Sequence, residues 1–162
     1  MRSETNGQIT AAEVKLAQAP HNLFISGLFM FDLLMTPAII ALKIGMTGML
    51  IPLLFSAGLV AYIYQRSKKT THRFVAAHWK LAYKRGLILF IGYGISAALI
   101  FIAWLVSLNM QQASMGHIIW TALTRIALVP TLIFVMITMV MEFSAASAAL
   151  KKEIPGEGSP SV

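Results

Sequence analysis

Two ionisable residues stand inside long uncharged runs of this chain: Asp32 within LFISGLFMFDLLMTPAIIAL, and Arg125 within the apolar run from Ile118 to Met141. A charge in hydrocarbon costs about 2.5–3.5 kcal/mol on insertion scales, so each needs a partner or water. At a rise of about 1.5 Å per residue, Asp32 lies about nine residues in from one end of its run. Arg125 lies about seven residues in from the opposite end of its own. An arginine side chain covers the remaining gap, so the spacing predicts an intramembrane ion pair between Asp32 and Arg125. Such a pair either locks a bundle or serves transport, with Asp32 as the coupling acid and Arg125 as its counter-ion or substrate anchor. A third arrangement has Arg125 snorkelling outward while Asp32 carries a proton.

The helical faces around these residues are polar. Thr36 shares a face with Asp32 and is placed to hydrogen-bond the carboxylate. On the last run, His117, Thr124, Thr131 and Thr138 recur every seven residues, with Thr121 and Glu142 in the same sector. Stripes of this kind avoid lipid, and either stitch helices together or line a hydrated path.

Other chemistries find no support. The chain has no cysteine, which removes thiolate metal sites and cysteine nucleophiles. No phosphate-binding glycine loop, HExxH motif, paired-carboxylate site or Ser-His-Asp set can be assembled. His21 and His78 are the only histidines placed at one depth for a bis-histidine haem, and both lie near the run ends. The sequence therefore predicts no enzyme activity, no cofactor and no metal.

The elements that must position these residues follow from composition. A chain of 162 residues, 57% hydrophobic and 12% charged, with mean hydropathy +0.74, lies outside the range of soluble domains. Crossing about 30 Å of hydrocarbon takes roughly 20 helical residues. Four runs meet that length, near 23–42, 44–64, 86–108 and 118–141. The Lys43-Ile44-Gly45 connection forces the first two into a hairpin. Pro37, Pro52 and Pro130 fall inside runs and should kink them. The fold predicted is all-α: a polytopic four-helix transmembrane bundle in up-down-up-down order. A polar segment 1–22 precedes the transmembrane domain 23–144, and a tail 145–162 follows it, with its Pro, Gly and Ser-rich end expected to be disordered.

Charge placement orients that bundle. Arg66, Lys68, Lys69, Arg73, Lys80, Lys84 and Arg85 crowd the connection between the second and third runs. By the positive-inside rule this connection belongs in the cytoplasm of a bacterial-type inner membrane. Both termini fall on that side with Arg2, Lys15, Lys151 and Lys152, and Lys43 alone stands opposite. Within the connection, Arg73, Lys80 and Lys84 share one face while Phe74, Val75 and Leu81 lie on another. This predicts an amphipathic interfacial helix for anionic headgroups or a partner. The net charge of +7 is thereby accounted for without nucleic acid.

The expected function is a non-catalytic integral membrane subunit or assembly factor of a larger inner-membrane complex. Its expected partners are anionic lipids and other integral subunits or further copies of itself. The alternative is a small oligomeric ion- or proton-coupled transporter that uses Asp32 and Arg125.

Overall fold

A computed structural model describes residues 9–110 and 113–156. Every regular element among them is helical. Thr10 opens the first: its hydroxyl accepts from the Glu13 amide at 3.2 Å, while the Glu13 carboxylate accepts from the Thr10 amide at 2.7 Å. This reciprocal cap satisfies two backbone donors that a helix start leaves orphaned. Helix α1 (Ala11–Gly27) runs on through a π-helical stretch, Leu28–Met35, into α2 (Thr36–Ala41). Pro37 has no amide to give the carbonyl one turn back, and the widened stretch ends just before it.

Lys43 (φ 54°) and Gly45 (φ 91°) turn the chain in left-handed conformations. A single tight turn, Met46–Met49, then leads into α3 (Leu50–Lys69). Helix α4 (Arg73–Leu108) is continuous over 36 residues, about 54 Å at the standard rise and longer than the hydrocarbon needs. Helices α5 (Ala113–Ala127) and α6 (Val129–Leu150) are separated only by Leu128. Pro130 explains that break, because a proline in the first turn of α6 is tolerated where one in mid-helix is not. Four helices are long and apolar enough to cross a membrane: Ala11–Ala41, Thr47–Lys69, Arg73–Leu108 and Ser114–Leu150.

Several boundaries differ from the sequence expectation. The first helix begins at Ala11, so much of the polar lead 1–22 extends the first span. The last helix passes Glu142 and reaches Leu150. Arg2 and the end of the tail, 157–162, lie outside the described residues. Residues 73–85, expected as an amphipathic helix that could be continuous with the third span, form the first part of α4. Their apolar side is buried in the bundle through Phe74, Val75, Trp79 and Ala82. Tyr62 of α3 meets Trp79 edge-on with ring centroids 6.2 Å apart.

Helix α4 is the hub and packs on α1, α3, α5 and α6. Phe24, Leu28, Ile63, Leu89 and Val135 are fully buried around it. Two glycines permit the closest approaches. A Cβ on Gly27 would overlap the Leu59 side chain of α3, and one on Gly92 would fall 2.6 Å from Phe134 Cβ of α6. By contrast Gly94 faces open space, while Gly92 and Ser96 on the same helix pack against α6. Large apolar side chains such as Leu54, Ile91, Phe101 and Val140 are more than half exposed. Lipid satisfies that surface where water would not.

Candidate functional site

Asp32 lies in the π-helical stretch and is buried, but its partners are not the predicted ones. Ser56 of α3 donates to Asp32 Oδ2 at 3.1 Å, and the Tyr93 hydroxyl of α4 donates to Oδ1. The carboxylate thus joins three helices. Thr36 is spent elsewhere, donating to the Phe31 carbonyl at 3.3 Å inside its own helix. Among the described residues no ion pair joins Asp32 to Arg125, and the Arg125 guanidinium has no hydrogen-bond or ion-pair partner.

The break at Leu128 accounts for this. The first and last spans are neighbours along α6, which packs on α1 and on the π-helical stretch. Beyond the break, α5 packs against α4 and, to a lesser extent, α6, and makes no substantial contact with the first hairpin. The Thr131 amide, freed by the break, finds the Ser96 hydroxyl at 3.2 Å, and the Thr131 hydroxyl donates to the same oxygen at 2.8 Å. Arg125 therefore stands across a gap from Asp32.

That gap is a cavity of about 660 Å³ between the first hairpin, α4 and α5. Thr36, His117, Thr121, Thr124, Arg125 and Thr131 all line it, as do Lys43, Tyr93 and Ser96. Of the predicted polar face, His117, Thr121, Thr124 and Thr131 line the cavity from the last span and Thr36 from the first hairpin, with Thr138 the exception. Some of its hydroxyls are already engaged: Thr121 donates to the His117 carbonyl at 2.9 Å and Thr124 to that of Trp120 at 2.7 Å. Back-bonding of this kind satisfies threonine in a helix without a second partner. Tyr93 links the two halves of the site, since it lines the cavity and holds Asp32. Thr138 is fully buried, and its hydroxyl has no partner.

A second polar centre lies toward the end of the bundle that carries the basic connection. His21, His78 and Glu142 are fully buried there. His21 Nδ1 lies 2.5 Å from Glu142 Oε2, and His21 Nε2 lies 3.0 Å from His78 Nδ1. His78 Nε2 lies 3.1 Å from the Glu153 carbonyl. Arg85 Nη1 donates to the Met141 carbonyl and stands 3.7 Å from Glu142 Oε1. The contacts dictate a proton count. A carbonyl only accepts, so His78 must present its Nε2 hydrogen to Glu153. A neutral His21 can then supply a hydrogen to His78 or to Glu142, but not to both. All three contacts can be hydrogen bonds at once only with one proton more than two neutral imidazoles and an ionised carboxylate carry.

This centre corrects the expectation for Arg85. Arg85 turns inward to Glu142 instead of facing headgroups, while Arg66, Lys68, Lys69, Arg73, Lys80 and Lys84 are exposed. His21 and His78 face each other directly. Two metal bonds of about 2.0–2.1 Å would need roughly 4 Å between the nitrogens, so this pair is hydrogen-bonded rather than held apart as axial ligands. The sequence signal for the cluster was Glu142 itself, an acid in an apolar helix at the height of His21, His78 and Arg85.

No known protein family, curated protein or solved structure matches this chain.

Proposed function

We propose that this protein is a small proton-coupled membrane transporter, with Asp32 as the coupling acid and Arg125 as the cation that meets the ligand. One observation carries the reading: a buried intramembrane carboxylate stands one hydrogen bond, through Tyr93, from a cavity whose wall bears an unpaired arginine. Intramembrane acids of this kind mark ion and proton routes. A locked Asp32–Arg125 pair would have spent both charges on packing. Their separation leaves Asp32 able to exchange a proton and Arg125 able to bind. The contacts that join Glu142, His21 and His78 support the same reading, since they supply a second buried cluster of ionisable groups toward the basic end.

The spans run up-down-up-down, with both termini and the basic connection in the cytoplasm of a bacterial-type inner membrane. The pairs Gly27–Leu59, Val60–Gly86 and Gly92–Phe134 support that order, and the charge asymmetry supports the sidedness. In this orientation the cavity lies in the outer half of the bilayer. The exposed face of Arg73, Lys80 and Lys84 meets anionic headgroups as the interfacial part of α4.

A proton-coupled carrier takes up or releases protons when its ligand binds. Purified protein in weakly buffered solution, titrated with a panel of organic ions, should change the pH with some of them. Asp32→Asn should abolish that change. An identical response from Asp32→Asn ends the proposal.

The separation of α5 from the first hairpin also favours a second reading. An apolar-walled cleft between helices accepts a transmembrane helix of another subunit, as an accessory or assembly factor of a larger complex requires. Purification in mild detergent separates the two. A stable monodisperse particle of this chain alone counts against the subunit reading, and a stoichiometric partner counts for it.

A further inference from the structure

Arg125 is a permanent charge on a membrane-crossing helix, and among the described residues nothing neutralises it. Two further cationic or basic groups, Lys43 and His117, line the same cavity, and no acidic residue does. Most of the remaining lining is apolar, from residues such as Ile39 and Leu53. The volume, about 660 Å³, falls within the range of small-molecule sites, about 300–1,000 Å³. We propose that the cavity binds an organic monoanion with an apolar body, its carboxylate on the Arg125 guanidinium and its body against the first hairpin.

The charge argument is selective. A cation would be repelled by Arg125 with no acidic residue lining the cavity to offset it, and a neutral molecule would leave that guanidinium without a counter-charge on a membrane-spanning helix. A carboxylate matches the planar donor fork of arginine and makes charge-assisted hydrogen bonds with it. The anion has two sources, a fatty acid from the bilayer or a water-soluble aromatic or aliphatic acid, and both present the same head.

The proposal rests on reading the cavity as the transport site, but its test needs no transport. Trp120 lines the cavity and reports contact with brominated ligands by quenching. The full chain with Trp79→Phe and Trp104→Phe is placed in nanodiscs of zwitterionic lipid, so that Trp120 is the only tryptophan. It is titrated with a terminally brominated medium-chain fatty acid, with the matching alcohol and amine, and with bromobenzoate beside bromobenzyl alcohol. At least one acid should quench at a concentration about tenfold or more below its alcohol. The fatty acid doing so assigns a lipid source, and bromobenzoate assigns a soluble one. Arg125→Gln should erase the preference, while Arg125→Lys should retain part of it. Equal quenching by acid and alcohol in the wild-type cavity overturns the inference, as does an undiminished acid preference in Arg125→Gln. If Arg125→Gln fails to accumulate, the ranking of acid, alcohol and amine on the unsubstituted cavity decides alone. Charge-selective binding without proton-coupled flux would sink only the transport reading. Coupled flux without charge selectivity would sink only this inference.

Discussion

Removing the Glu142 carboxylate leaves buried His21 without its hydrogen-bond partner and part-buried Arg85 without its counter-charge, and breaking a buried pair from one side costs about 3–5 kcal/mol. Glu142→Ala should therefore lower stability in detergent by that order, measured by thermal or denaturant unfolding. Lys80→Ala, on the exposed face, should stay within about 0.5 kcal/mol of wild type. A different result is expected at the other pair of charges. Since Asp32 is held by Ser56 and Tyr93, exchanging the charges (Asp32→Arg with Arg125→Asp) should not recover expression lost by either single change. Recovery would mean that the two side chains do pair. The sequence revealed both residues and their depth, because charges stand out in apolar runs. It could not reveal their partners. Tyr93 and Ser56 are ordinary residues of apolar helices, and only packing shows which hydroxyls face a carboxylate. The same holds for Arg85, whose place beside Lys84 suggests a headgroup contact while its helical face turns it onto Glu142.

The break at Leu128 is the element that decides the site. It turns one predicted span into α5 and α6, and it sends the Thr131 amide to Ser96. Pro130 made a kink legible. The consequence, α5 leaning on α4 and opening a cavity, depends on which neighbour α5 finds, and no spacing rule states that. Close approach is equally local. Gly92→Val should destabilise the protein by about 1–3 kcal/mol through overpacking against Phe134, whereas Gly94→Val, facing open space, should change little. Equal losses at both positions, read by thermal unfolding, would place Gly94 in an interface as well. The four apolar stretches were legible to within about a turn at the edges away from the basic connection. Their true lengths were not, because polar residues such as Glu13 and Lys15 continue a helix as readily as they end one.

At the scale of the whole molecule, the basic connection and the polar interior divide the work. Exposed cations cluster on the connection between α3 and α4 and its flanks, and buried ionisable groups sit in two separate centres. The absence of cysteine makes sidedness straightforward to measure in intact cells. Single cysteines at Lys68 and Lys152 should resist a membrane-impermeant maleimide added from outside, and one at Lys43 should react. Labelling of Lys68→Cys from outside would invert the orientation and place the cavity in the inner half. The central claim is that Asp32 couples proton movement to a ligand in the cavity beside it. The most direct measurement reconstitutes wild type and Asp32→Asn in liposomes with an internal pH dye and adds the organic anion that binds at Arg125. The account predicts anion-dependent proton flux in wild type, none in Asp32→Asn, and retained anion binding in both. Equal flux in the two proteins, or none in wild type despite binding, would contradict it.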